Sequence, residues 1–347
     1  MIPHLAGPDA WLGRDMAAST EWIRPLSGRA IDELDAALRG IQRRGLTWPK
    51  FGRDEFPLPT FASDLAAVLE ELEDGRGFVL LRGLPVERYT EDELKNLYWG
   101  VGAHVGWHRY QNALGELIGE VRDENRRYGE VKEPTMDPAL GRSSRNKARS
   151  AGPLRFHTDR CDVVTLLTVR KAKEGGLSKI VSAVSVSNAI RERRPDLHAL
   201  LCRDYWSSRQ GEEAGGEKKV FALPLFCLHE GKFSTQYSRT FVEAAQKLGD
   251  VPRMTAAQDE ALDLHAAVCE ELCFTMAFEP GDIQLLNNHV TYHGRTHYED
   301  ADGVDQDRLL LRMWVAPRNS RPLPAGYTPI WGTTAPGVPR GGIAQPA

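Results

Sequence analysis

Three short stretches of this chain hold side chains that could do chemistry together. In Arg155-Phe156-His157-Thr158-Asp159 an imidazole and a carboxylate stand two residues apart. In an extended chain such residues project to one side, so His157 and Asp159 would face a common point. Two histidines and one carboxylate on one face of iron(II) leave its other positions open, and this pair would be two thirds of that set. Alone, the pattern is weak, because a surface histidine beside an aspartate is its commoner origin. The second stretch runs from Glu279 to Arg295. Pro280-Gly281-Asp282 is a tight turn, an apolar run from Ile283 to Leu286 follows, and after Asn287-Asn288 come His289 and His293. Either histidine is a candidate third ligand, or a hydrogen-bonded structural residue, and spacing does not separate them. The third stretch is Arg308-Leu309-Leu310-Leu311-Arg312-Met313-Trp314. In a strand, Arg308 and Arg312 share a face because their separation is even. Guanidinium groups on an apolar strand are costly unless each meets an anion. A bound dicarboxylate, gripped bidentately, would supply one; internal salt bridges are the alternative.

These residues need elements to position them. Leu65, Val68, Leu69 and Leu72 follow helical spacing and predict a helix over Ser63 to Glu73. Gly77 to Gly83 predicts a buried strand between glycines. Capping boxes at Thr90-Glu91-Asp92-Glu93 and Thr255-Ala256-Ala257-Gln258 predict helix starts, the second helix running towards Glu271. A helix from Val186 to Arg194 should end at Pro195. Short apolar runs at Val163 to Val169, Lys179 to Val184, Phe233 to Tyr237, Cys273 to Phe278, Ile283 to Leu286 and Leu309 to Val315 predict strands. Many short strands with flanking helices point to a mainly β architecture, a closed or double sheet.

The bulk properties narrow the classes. The chain has 347 residues, 41% hydrophobic and 27% charged, with a net charge of −4. A sizeable core is affordable, and the acidic balance speaks against nucleic-acid or membrane-surface partners. The absence of a long apolar run or secretory pattern makes a cytoplasmic location the default expectation. Five cysteines without a CxxC argue against a disulfide framework or zinc ribbon. We expect one domain over residues 1–347, with a core from about residue 60 to 318, a peripheral N-terminal helical extension and a peripheral Pro/Gly-rich tail. The polar segment 123–152, with no apolar period, is expected to form a lid loop. Tyr110, Gln111 and Asn112, clustered after a predicted helix, are candidate substrate contacts.

The order of motifs resembles the taurine dioxygenase (TauD/TfdA) family of clavaminate-synthase-like oxygenases. It comprises HxD, then Gly175-Gly176-Leu177-Ser178, then Pro-Gly-Asp with Asn-Asn-x4-His, then Arg-x3-Arg. The resemblance covers most of the chain and is strongest from Phe156 to Trp314. It implies a double-stranded β-helix, a cupin-like jelly roll with helices outside. It implies iron(II) on His157, Asp159 and His293, with His289 off the metal, and 2-oxoglutarate and O2 as co-substrates. Arg308 would pair with the distal carboxylate of 2-oxoglutarate, and Ser178 stands where the family often has a threonine donating to it. Arg312 matches an arginine that in some members meets an anionic substrate. The implied reaction is oxidation, chiefly hydroxylation, of a C–H bond in a small polar or amino-acid-like molecule, with release of succinate and CO2. Desaturation or cyclisation in natural-product assembly, or a non-catalytic cupin-like binding protein, are the alternatives. Oligomeric state stays open, with a homo-oligomer one outcome.

Overall fold

The computed structural model describes residues 2–124, 126, 149–210, 212, 217–303 and 306–345. Its central feature is a pair of sheets. The larger has seven strands: Ile23–Pro25, Phe78–Arg82, Ile283–Asn287, Val163–Arg170, Leu309–Pro317 and Gly106–Arg109 in that order, with Ile118–Val121 also paired to Leu309–Pro317. The smaller orders Phe274–Met276, Ser178–Ser182, Thr291–Arg295 and Leu154–His157. Only the Ile23–Pro25 pairing is parallel; the other pairings in the two sheets are antiparallel.

The period of two along each strand decides which side chains meet. Phe78, Leu80, Val164, Leu286, Leu310 and Trp314 of the large sheet pack with Ile180, Phe274 and Met276 of the small one. The intervening residues Val79, Leu81, Val163, Leu167, Leu285, Leu311, Met313 and Val315 belong to a second cluster. That cluster is completed by the helices Gly28–Arg43, Phe61–Glu73 and Glu91–Val105. The outer face of the small sheet, through Val181 and Tyr292, is covered by Ala183–Arg193, Pro195–Leu201 and Ala256–Leu272. Two facing sheets with helices outside are the expected jelly roll of the double-stranded β-helix class.

Both capping boxes form. Thr90 and Glu93, and Thr255 and Gln258, exchange side-chain and backbone hydrogen bonds in both directions. The Pro280-Gly281-Asp282 turn locks two strands of the large sheet. Gly281 has φ +87°, and a Cβ there would lie 1.9 Å from the Leu84 carbonyl oxygen, so glycine is required. Beside it, the Arg82 fork donates to both oxygens of Asp282 at 2.8 and 2.7 Å.

Several expectations need correction. The strand expected to reach Val184 ends at Ser182, because Ser182 Oγ accepts from Ser185 N and starts a helix at Ala183. That helix starts at Ala183 rather than Val186 and ends before Pro195 as expected, and Pro195 begins the next helix, where its missing N–H is harmless. The N-terminal segment is not peripheral. Trp11 and Trp22 are buried against Phe78 and Phe274 with ring centroids 5.2–6.0 Å apart. Nor is the tail: Trp331, Arg340 and Ile343 are all buried. Most of the predicted lid, 123–152, lies outside the described residues. No described helix is long and apolar enough to cross a membrane.

Candidate metal centre

Antiparallel register places His157 directly opposite His293, and their ring centroids are 4.3 Å apart. The strand carrying His157 stops there, so Asp159 is not aimed by strand alternation. Instead Thr158 N donates to Tyr237 O at 2.8 Å, and Asp159 N donates to Asn288 Oδ1 at 3.0 Å. Asn288 Nδ2 also donates to the Cys161 carbonyl at 3.0 Å. Asn288 thus grips the segment after His157 and turns the carboxylate towards the imidazoles.

The result is a compact donor set. Asp159 Oδ1 lies 3.9 Å from His157 Nε2, and Oδ2 lies 3.8 Å from His293 Nε2. One ligating atom from each of the three residues falls within 4.8 Å of the others. His157 Nδ1 is 2.9 Å from the Arg155 carbonyl. A carbonyl can only accept, so the proton sits on Nδ1 and the Nε2 lone pair is left for a metal. His289, the competing histidine, donates Nε2–H to Asp162 Oδ1 at 2.8 Å and stacks on Trp331. It is a structural residue.

Electrostatics favour a charged Asp159 and a neutral His293. Burial works to raise the Asp159 pKa, Arg312 foremost works to lower it, and the net keeps the carboxyl below its ordinary range. Arg312 Nη1 is 3.8 Å away and Trp314 Nε1 donates at 2.9 Å. Burial, then the neighbouring His157, pushes the His293 imidazole down to about 3, so it is neutral at physiological pH.

Two cavities meet at this set, with His157 and Arg312 bordering both. One, about 550 Å³, is lined by His293, Ser178, Gln284, Arg295 and Arg308 among apolar walls. Arg308 is buried, its guanidinium lies 5.0 Å from the Tyr298 ring centre, and its Nη1 has no hydrogen-bond partner. Burial lowers its pKa. A buried guanidinium with an unmade bond at a cavity fits an anion such as a carboxylate. Ser178 Oγ instead meets the Gln284 amide at 3.2 Å. The shared face expected for Arg308 and Arg312 agrees with Leu310 and Trp314 pointing between the sheets.

The other cavity, about 530 Å³, borders Asp159, Gln111, Arg160, Arg209, Gln210, Phe241, Trp314 and Ile343. Of the three clustered candidates, only Gln111 lines it. Its Oε1 accepts from Arg312 Nε at 2.6 Å, and its Nε2 donates to the Leu117 and Arg312 carbonyls. Gln111 therefore positions Arg312. Asn112 is spent on its own turn, donating to Glu116 Oε2 and accepting from Leu114 N and Glu116 N. Tyr110 points outward, 37% exposed. Neither borders the cavity. Sequence reasoning missed Gln284 and Trp314, although a lone amide inside Ile283-Gln284-Leu285 and the same-face position of Trp314 were legible signals. Arg209, Gln210 and Ile343 come from distant segments and gave none, while Arg160 directly follows Asp159 and was passed over.

The TauD family model, described as taurine catabolism dioxygenase TauD, TfdA family, matches residues 42–314. FR-33289 synthase of Streptomyces rubellomurinus is 30% identical over 344 residues, covering 96% of this chain and 97% of that protein. L-lysine 3-hydroxylase of Catenulispora acidiphila is 24% identical over 270 residues, 75% and 73% of the two chains. In fold, the chain is similar to asparagine oxygenase solved with Fe(II), 2S,3S-3-hydroxyasparagine and succinate. The TM-score is 0.60 at 18% identity, with 85% of this chain and 93% of that one covered. The converging donor set, the buried arginine at the adjoining cavity and these matches lead to one conclusion: the chain belongs to the TauD/TfdA family and is a 2-oxoglutarate-dependent non-haem iron oxygenase, using iron(II), 2-oxoglutarate and O2.

Proposed function

We propose that this enzyme hydroxylates a C–H bond of a small amino-acid-like molecule. In this reading iron(II) is held by His157, Asp159 and His293. When bound, iron(II) with 2-oxoglutarate and O2 supplies the oxidation of the C–H bond, releasing succinate and CO2. Arg308 holds the distal carboxylate of 2-oxoglutarate in the 550 Å³ cavity, with Ser178 able to turn its hydroxyl from Gln284 to that carboxylate. Arg312, between the two cavities, steadies Asp159 and offers charge to an anionic substrate group. Trp314 fixes the Asp159 carboxylate, and Phe241 and Ile343 help exclude water from the substrate cavity.

The observation that carries this reading is the junction itself: two cavities, one with a buried arginine whose Nη1 has no partner, meeting at one histidine–carboxylate–histidine set. The amino-acid class is supported by what the asparagine oxygenase and lysine hydroxylase are named for acting on. We also read residues 1–347 as one domain in the cytoplasm. The net charge of −4 supports small-molecule rather than nucleic-acid partners; a homo-oligomer is compatible with this reading. The test is succinate release with iron(II), 2-oxoglutarate and air across a panel of amino acids and their derivatives. At least one member should raise succinate well above the uncoupled rate, with a hydroxylated product of mass 16 greater. A flat response across the panel would reject the substrate class.

A further inference from the structure

The substrate-side cavity contains a residue that has no structural task. Gln210 follows the strand Asp204–Ser208, lines the cavity beside His157 and Asp159, and is only 4% exposed. Its Oε1 and Nε2 are both buried, and neither has a hydrogen-bond partner. Its backbone sits at φ +53°, in the left-handed region a non-glycine residue adopts only at a cost. Ser208 Oγ holds that conformation by accepting from Gln210 N at 3.0 Å. Strain and an unsatisfied amide coincide at one position on the cavity wall, which is the pattern of a ligand contact rather than a packing residue.

The surroundings say what kind of ligand. Arg160, Arg209 and Arg312 border the cavity, against the carboxylates of Asp159 and Glu212. Glu212 already accepts from Ala113 N at 2.6 Å. Arg209 is already paired with Glu217 at 3.5 Å, but Arg312, between the two cavities, offers charge to a negative substrate group. Gln210 adds a donor and an acceptor side by side. A carboxylate would satisfy only Nε2, and an ammonium only Oε1. A second amide satisfies both atoms at once.

We infer that Gln210 is a specificity-determining residue that pairs with an amide of a carboxylate-bearing substrate, either a carboxamide side chain or an N-acyl group. This rests on the amino-acid-like reading above. The test uses the enzyme with iron(II) and 2-oxoglutarate under anaerobic conditions, and the probes are L-amino acids and their Nα-acetyl derivatives. Binding is read as perturbation of the visible absorption band. Probes carrying an amide should bind the wild type at least tenfold tighter than matched probes without one, asparagine against aspartate included. Gln210→Leu and Gln210→Gly should shrink that preference to threefold or less. Because glycine relieves the positive φ, Gln210→Gly should keep or raise Tm. A preference that survives in both variants, a wild type that favours amide-free probes, or a marked fall in Tm for Gln210→Gly would overturn the inference alone. Iron and 2-oxoglutarate binding normally while no probe perturbs the band would instead reject the amino-acid-like class, and the inference with it.

Discussion

Asp159 is held from three directions: Asn288 fixes its backbone, Trp314 donates to its carboxylate, and Arg312 faces it at 3.8 Å. Removing Asn288 leaves Asp159 N without its acceptor and frees the turn. Asn288→Ala should weaken iron(II) affinity about tenfold, the usual scale for a residue that orients a ligand, as measured by anaerobic titration. Unchanged affinity would mean the turn is held by other contacts. Arg308→Lys keeps the charge but loses the fork. We expect 2-oxoglutarate to bind roughly 10- to 100-fold more weakly, from the ~1.5–3 kcal/mol of a charge-assisted hydrogen bond, with iron binding intact. Loss of both would place Arg308 in the structural frame instead. At this scale the HxD and the Arg-x3-Arg were readable because residue type and parity carry the signal. The choice between His289 and His293 was not readable from spacing. It depends on Asp162, a partner that only the fold brings beside His289. Gln111 and Asn112 are adjacent and similar in sequence, yet the Glu116 turn consumes one and leaves the other at the cavity.

Elements were legible where local physics decides them. The boxes at Thr90 and Thr255 name their own helix starts, and each structure forms as drawn. Thr90→Ala and Thr255→Ala should each cost about 1 kcal/mol of stability, read as a shift in denaturant midpoint without a change in slope. No shift would show that tertiary packing alone sets those helix ends. The apolar strand runs were visible for the same reason. The strands that carry His157 and His293 were not, because Leu154–His157 and Thr291–Arg295 are short and polar. Their pairing with each other and with Ser178–Ser182 supplies what propensity lacks. The helix Gly28–Arg43 was expected only as part of an N-terminal helical extension without bounds, although Ala30, Leu34, Ala37, Leu38 and Ile41 follow helical spacing and Ser27 caps it.

On the scale of the whole molecule, the tail and the turn that carries Asp159 are one unit. Arg340 donates to both oxygens of Asp162, the closest contact being 2.6 Å, and Asp162 in turn accepts from His289. Gly342 N donates to the Arg160 carbonyl at 2.6 Å. Composition made the Pro/Gly-rich tail look peripheral, since a buried pair 178 residues apart leaves no local trace. Arg340→Met strands a buried carboxylate and should cost about 3–5 kcal/mol; a loss under 1 kcal/mol would make the tail peripheral after all. The fold also stores neutral histidines. Burial lowers His108 and His198 to about 4 and His265 to about 3, from 6.5. The unfolded chain therefore binds more protons between about pH 6.5 and 4, so stability is full above that window and is lost as pH falls through it. Tm should be lower at pH 5 than at pH 7.5, and an equal or higher value would contradict the burial of these rings as neutral groups. The central claim is that strands distant in the chain converge on one ferrous site. Its most direct test is anaerobic titration with iron(II) and 2-oxoglutarate, following the visible charge-transfer band. Wild type and His289→Gln should both develop the band, while His293→Ala and Asp159→Ala should not. A band that persists in His293→Ala but vanishes in His289→Gln would contradict the account.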